Sequence, residues 1–414
     1  MFHYKNNLLY IDQINIADIA KQIHTPFYLY SATQLKENFL KYKNAFADQN
    51  VLICFAVKAN SNLSVLNALG KLGSGADCVS EGEIRKAIAA DIPPKHIVFS
   101  GVGKTKQELS YALSENIMQF NVESIPELLL LNDVAGMQNK IANVAIRINA
   151  NVDGKTHYKI NTGLKSNKFG IDIDNLTEIV KSLEKLNNIK LQGLSIHIGS
   201  QITSLEPYKE AYQIILKTAE MLKSHGCKIE YLDLGGGLGV RYSQENPPEI
   251  AEYAELIKKL FYKSNYKIII EPGRSIAANI GVLISSVLYI KETKEKTFAI
   301  IDAGMNDSLR QSLYDAYHDI VPLSPGNTVT KYDIVGPVCE TSDVFSKDKI
   351  MPNLNSGDLV AFKDAGAYGA VMSSIYNSRL LIPEVIAQDT KFAITKNRPS
   401  YEDLIKSETI PSWI

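Results

Sequence analysis

Residues 51–90 read VLICFAVKANSNLSVLNALGKLGSGADCVSEGEIRKAIAA. A β-rich apolar run, Val51–Val57, gives way to a helical pattern, and a second short run, Ala76–Val79, follows. Ser80 and Glu83 then stand three apart, the spacing of a capping box that opens the next helix. When strand and helix alternate in this way, each helix is a crossover connection and neighbouring strands run parallel.

The pattern continues along the chain. Further β-rich runs fall at Ile97–Ser100, Met118–Val122, Val144–Asn149, Leu191–Ile198, Tyr231–Leu234 and Lys267–Ile270, making eight. Leu35, Phe39, Tyr42 and Phe46 fall on one helical face. Ser31 with Gln34, Thr105 with Glu108 and Ser124 with Glu127 repeat the capping-box spacing. Eight strand-then-helix units in roughly 240 residues have the size of a (β/α)8 barrel. The competing doubly wound sheet is disfavoured, because its GxGxxG fingerprint after the first strand is missing. The barrel is expected over residues 27–275.

Past residue 275 the pattern changes. Val282–Ile290, Phe298–Asp302, Tyr332–Val338 and Leu359–Ala365 read as strands with few long helices between them. Residues 276–414 are therefore expected to form a mostly β domain, joined by residues 1–26, where Leu8–Ile11 has weak strand character. A chain of 414 residues is long enough for two such domains.

Composition removes several functional classes. Hydrophobic residues are 45% and charged residues 21%, and the formal net charge is -1, so no strong field points to nucleic acid or an anionic membrane. No apolar run approaches the roughly 20 residues that span a bilayer, and residues 1–10 do not read as a secretory signal. Cys54, Cys78, Cys227 and Cys339 form no CxxC pair and the seven histidines form no HExxH, so no metal site is expected. Scattered thiols suit a reducing, cytoplasmic setting. Gly101-Val-Gly-Lys-Thr105 resembles the end of a P-loop, but Val98 stands where that motif needs glycine.

Polar residues that could carry chemistry collect at the expected carboxyl ends of the strands, where such barrels place their active sites. Lys58 follows the first strand, where desolvation favours a nucleophilic amine. His197 ends the sixth, in His197-Ile-Gly-Ser-Gln201. Leu234-Gly-Gly-Gly-Leu-Gly239 follows the seventh and offers backbone N–H groups to an anion. Glu271-Pro-Gly-Arg-Ser275 ends the eighth. Singly, each has an ordinary structural explanation. Together, a lysine, a glycine cradle, a histidine and an acid on one rim describe a site for pyridoxal 5'-phosphate (PLP).

With Phe55-Ala-Val-Lys-Ala-Asn60, Gly336-Pro-Val-Cys-Glu340 and Asp364-Ala-Gly-Ala-Tyr368 added, the order and spacing of motifs resemble the diaminopimelate decarboxylases, within the alanine-racemase-like (fold type III) PLP enzymes. The resemblance runs from Phe55 to about Met372. It implies that Lys58 carries the cofactor as a Schiff base and that His197 stacks on the pyridine. Gly236, Gly237, Gly273 and Arg274, with Ser200 nearby, would hold the phosphate. Glu271 would pair with the pyridine nitrogen, and Tyr368 would lie by phosphate and substrate. Cys339 would be the proton donor, presented by a neighbouring subunit's β domain in a homodimer with shared active sites. Glu271 keeps the ring nitrogen protonated, a strong electron sink that favours decarboxylation; alanine racemases place an arginine there.

The expected substrate is meso-diaminopimelate, whose far end carries both a carboxylate and an ammonium. Arg274, Arg310 and Tyr314 can donate to the former, Tyr368 lies close, and Glu340 can accept from the latter. Ornithine, lysine, arginine and carboxynorspermidine decarboxylases are the alternatives, and an arginine at that end repels the bare ammonium of the simple diamine precursors. A non-catalytic PLP-binding regulatory protein is a further alternative, and a racemase a weaker one. Gln311 where the family usually has proline, and Glu81 where it has glycine, depart from the pattern.

Overall fold

The structure is a computed structural model that describes residues 2–154, 157–160, 162–164, 166–183 and 185–414. It divides into two compact units, residues 36–276 and the combination of residues up to 35 with 277–414.

The first unit is a closed barrel. Its strands are Val51–Ala56, Gly75–Cys78, Ile97–Phe99, Gln119–Val122, Ala142–Asn149, Ile189–Ser195, Tyr231–Asp233 and Lys267–Ile270. Each pairs in parallel with the next. The eighth returns to the first, with Ile268 opposite Val51 and Ile270 opposite Ile53, so the ring has no edge. A short strand, Ile171–Asp172, lies beside the fifth.

Helices cover the outside, and the strands read as apolar runs because both faces are buried. Cys54, Phe55, Ala76, Cys78, Val98, Phe99 and Ile269 are all fully buried, which places two of the four cysteines in the core. Leu35, Phe39, Tyr42 and Phe46 are buried as the spacing required. Thr105 and Glu108 form a complete capping box. At Ser80 and Ser124 the hydroxyl caps as expected, but the glutamates Glu83 and Glu127 reach one residue further back, to the N–H groups of Val79 and Glu123.

The second unit is a sheet whose strands run in the order Val344–Pro352, Val329–Val335, Thr297–Ile301, Gly281–Glu292, Phe27–Ser31, Glu384–Gln388 and Lys391–Lys396. Leu359–Phe362 pairs with Gly281–Glu292 and with Ile320–Pro322. The amino-terminal strands Phe2–Lys5, Leu8–Ile11 and Ile14–Asn15 belong to this unit, and Leu9, Ile11, Ile16 and Ile19 share its core with Phe27, Leu29, Val282, Ile284 and Val385. The boundary lies at 35/36, later than the expected start of the barrel at 27. Phe27–Ser31 pairs with Gly281–Glu292 and Glu384–Gln388, and all five of its residues are buried in that sheet.

Candidate active site

Polar side chains gather at the carboxyl ends of the barrel strands. Lys58 lies in a 3-10 turn, Val57–Ala59, immediately after the first strand. Its Nζ is 2.5 Å from Oδ2 of Asp77, a carboxylate on the second strand with no solvent exposure. The Lys58 side chain is 35% exposed, whereas that of its partner is fully buried.

His197 follows the sixth strand by two residues. Its Nδ1 accepts from the Gly236 N–H at 3.2 Å, which leaves the ring hydrogen on Nε2. Burial lowers its pKa well below the usual histidine range, and the nearby cations Arg147 and Lys58 lower it further. The ring is a neutral, flat surface.

Gly236 thus serves His197. The Gly237 N–H and the Gly273 N–H donate to no group among the described residues. Gly237 has to be glycine. Its φ is +101°, and a Cβ there would stand 2.2 Å from the Gly199 carbonyl oxygen. Arg274 is buried and forks between Tyr242 and Ser200, donating from Nη1 to the phenol oxygen at 2.9 Å and from Nη2 to Ser200 Oγ at 3.0 Å.

Glu271 ends the eighth strand, buried, and its Oε1 has no hydrogen-bond donor among the described residues. Beside it, fully buried Asp233 receives the Gly235 N–H on Oδ1 at 3.1 Å and Asn121 Nδ2 on Oδ2 at 2.8 Å. Burial raises the pKa of Glu271 well above the carboxylate range, and Asp233 and Asp77 add to the rise. Asp233 has two donors and Glu271 Oε1 has none, so of this pair Asp233 is the better stabilised anion.

The remaining expected residues lie on the β unit. Arg310 and Tyr314 stand at the two ends of the short helix Arg310–Tyr314. Gln311 accepts from the Ser308 hydroxyl at 3.0 Å, tying the departure from the family pattern into the start of that helix. Cys339 and Glu340 are exposed on the loop after Val329–Val335. The Cys339 N–H donates to Asn377 Oδ1 at 3.1 Å, and Tyr376 OH donates to Glu340 Oε1 at 2.5 Å. Tyr368 has φ +57°, a backbone position that bulky residues seldom adopt away from functional sites.

Residues 32–278 match the family model described as pyridoxal-dependent decarboxylase, pyridoxal binding domain. The chain is also 46% identical to the diaminopimelate decarboxylase of Zymomonas mobilis, across 100% of this chain and 99% of that one. The chain belongs to the diaminopimelate decarboxylase family.

Solved structures of the family agree. The Helicobacter pylori diaminopimelate decarboxylase, complexed with L-lysine, has a TM-score of 0.92 at 45% identity, covering 95% of this chain and 99% of that one. The M. jannaschii enzyme, also with L-lysine, has a TM-score of 0.94 at 38% identity and covers 99% and 98%. Membership in this family makes PLP the expected cofactor, and the barrel rim fits it. A partly exposed lysine, a neutral imidazole face, two N–H groups beside an arginine–serine pair and a buried acceptor lacking a donor are the groups that such a ligand needs.

Several functional groups were missed in the sequence. Asp77, Asp233 and Asn121 sit inside strands of three or four residues, where a single polar residue carries no periodic signal. A charged or amide residue within an otherwise buried strand is the one available clue. Lys104 of the P-loop look-alike is also buried. It donates to Glu127 at 2.6 Å and to the carbonyls of Gly101 and Asn121, so it ties loops together instead of meeting a nucleotide. Among the described residues no group of histidine, cysteine and acidic side chains could hold a metal ion, and no helix is long and apolar enough to cross a membrane.

Proposed function

We propose that this chain is a PLP-dependent decarboxylase that converts meso-2,6-diaminopimelate to L-lysine and CO2, the last step of lysine biosynthesis. The single observation that carries the reading is the buried, donor-free Glu271 Oε1 on the same rim as the partly exposed Lys58 side chain. When bound, the cofactor withdraws the electron pair left on the α-carbon as CO2 departs.

This chain's own residues do the rest. Lys58 would hold the cofactor covalently through its amine, and Asp77 holds that amine in place. His197 offers a neutral face, kept in one tautomer by the Gly236 N–H. Gly237, Gly273, Ser200 and Arg274 would receive the phosphate. Glu271 would accept the ring N–H, beside Asp233, whose two oxygens are supplied by Gly235 and Asn121. Arg310, Tyr314, Arg274 and Tyr368 would bind the substrate's far carboxylate, and Glu340 its ammonium. Cys339 would deliver a proton to the α-carbon.

The same reading makes the working form a homodimer in which Cys339 of one subunit serves the other's barrel. Its exposure on the chain supports this. Four free cysteines support a cytoplasmic setting. L-Lysine bound in the Helicobacter pylori and M. jannaschii enzymes supports lysine as the product.

The test is CO2 release by the PLP-loaded protein from meso-diaminopimelate, L-ornithine, L-lysine, L-arginine and carboxynorspermidine, with L-lysine assayed as product. Turnover of diaminopimelate alone is expected. Turnover of a simple diamine precursor instead would keep the chemistry and overturn the roles of Arg310 and Glu340.

A further inference from the structure

Arg310 is 6% exposed and His318 4%, and the two are in contact. The helix Arg310–Tyr314 ends at Asp315, whose φ of +52° lies in the left-handed region. The chain turns back there, and the N–H groups of Asp315 and Ala316 return to the Arg310 carbonyl. That reversal carries His318 onto the arginine side chain just before the strand Ile320–Pro322.

Both imidazole nitrogens are engaged. Nδ1 is 2.8 Å from the Lys363 carbonyl oxygen, and Nε2 is 2.8 Å from Arg310 Nη1. A carbonyl oxygen only accepts, so Nδ1 carries the hydrogen. A guanidinium only donates, so Nε2 presents its lone pair. The two contacts together require the neutral imidazole in one tautomer. Lys363 directly follows the strand Leu359–Phe362, which pairs with Ile320–Pro322, so the far side of the ring is anchored to backbone at the end of that sheet strand.

We propose that His318 is a positioning residue for Arg310, fixing the plane of the guanidinium fork with which the chain recognises the carboxylate at the substrate's far end. The inference rests on Arg310 binding that carboxylate. Its physical content is preorganisation. A free arginine side chain gives up rotamer freedom when it binds, whereas one already held by a hydrogen bond loses less. His318 therefore acts on substrate affinity and on discrimination against amines lacking the carboxylate, with little effect on cofactor binding.

Two substitutions separate this role from a merely structural one. His318→Asn places an amide at the level of Nδ1, so it keeps the bond to Lys363 and does not reach Arg310. His318→Gln places its amide at the level of Nε2, where Oε1 can accept from Arg310 while the bond to Lys363 is given up. On the PLP-loaded protein, His318→Asn is expected to raise KM for meso-diaminopimelate about tenfold, the usual worth of one immobilised long side chain. kcat should stay within about twofold and the visible cofactor spectrum should be unchanged. His318→Gln should restore most of the KM. Arg310→Met sets the reference, and adding His318→Asn to it should raise KM no further. Wild-type KM in His318→Asn, with a raised KM in Arg310→Met, would overturn the role of His318 and leave the proposed function standing. An equal rise in the Asn and Gln variants with an altered spectrum would also overturn it, as a structural effect. Unchanged KM in Arg310→Met would remove the substrate role of Arg310 and the inference together.

Discussion

Gly237→Ala is the sharpest perturbation of the barrel rim. At φ +101° an alanine enters a region that costs an L-residue about 1–2 kcal/mol. Its Cβ would meet the Gly199 carbonyl oxygen at 2.2 Å, where at least 3.0 Å is needed, and would come within 3.2 Å of the Gly199 carbonyl carbon and of Ile202 Cδ1. The first two of these are backbone atoms that cannot rotate away, so the loop after the sixth strand or the glycine loop has to move by most of an ångström. Overpacking of this kind costs about 1–3 kcal/mol more. The expected loss is therefore about 2–5 kcal/mol, a large part of a typical stability of ~5–15 kcal/mol. Two controls divide the effect. Gly226→Ala has φ +85° with nothing within 4 Å, so it isolates the backbone component. Gly103→Ala has neither strain nor a neighbour and should be silent. Urea midpoints at constant slope rank the three variants, and a PLP titration shows whether the rim has shifted. A Gly237→Ala loss within about 0.5 kcal/mol of the Gly226→Ala loss, with unaltered PLP affinity, would refute the reasoning.

Lys58→Ala should abolish the visible absorption of the PLP-loaded protein. It also strands the buried Asp77 carboxylate at a cost of about 1–3 kcal/mol. The double variant Lys58→Ala/Asp77→Asn should regain the stability in a thermal melt but not the absorption, and a retained band in either would remove Lys58 from its place. Cys339→Ala should slow turnover by about 100-fold or more while PLP binding holds; unchanged turnover would end its role as proton donor. Burial pushes the Glu83 carboxyl up to about 7 from an ordinary 4.5, partly offset by the Val79 N–H and by Lys58. The folded state then binds the proton more tightly than the unfolded one. The resulting stability is fully present below about pH 4.5 and is lost as pH rises through about 7. Glu83→Gln, which keeps the Val79 contact, should flatten the stability-against-pH curve across that window by up to about 3 kcal/mol, and an unchanged slope would contradict the assignment.

The legible parts of the fold are those where burial acts on both faces of a strand. The eight barrel strands stood out as apolar runs because a parallel sheet under helices has no solvent side. Val344–Pro352 did not, because Ser346, Lys347, Asp348 and Lys349 interrupt a strand at the end of a mixed sheet path, paired antiparallel with Val329–Val335. The expected start of the barrel at 27 falls on Phe27–Ser31, a strand of the other sheet; nothing local distinguishes a buried strand in one sheet from a buried strand in another, and pairing partners 250 and more residues away decide it. The site divides in the same way. Lys58, His197, Glu271 and Arg274 follow strands and interrupt apolar sequence, so their unusual chemistry shows. Asp77 and Asp233 point into the barrel from within strands, and only the register reveals that they face Lys58 and Glu271.

That register shows why the rim suits a cation on an aromatic ring. Asp77, Asp233 and Glu271 are three buried acids, and their mutual repulsion with desolvation raises the pKa of Glu271 against the pull of Lys58. Such an arrangement disfavours a third full negative charge in the barrel and favours a proton placed at Glu271, where Oε1 has no donor of its own. Burial also raises the Asp233 carboxyl, to about 6, while Asn121 and the Gly235 N–H, which supply its two oxygens, hold it down. An apolar residue at Asp233 would remove the repulsion and let Glu271 ionise alone. An arginine at position 271 would neutralise the acids and leave nothing to hold a ring N–H. On the proposed function, the pair of acids, one satisfied and one not, would make position 271 the acceptor for a protonated ring nitrogen, the form that would stabilise a carbanion after CO2 leaves and separate decarboxylation from racemisation.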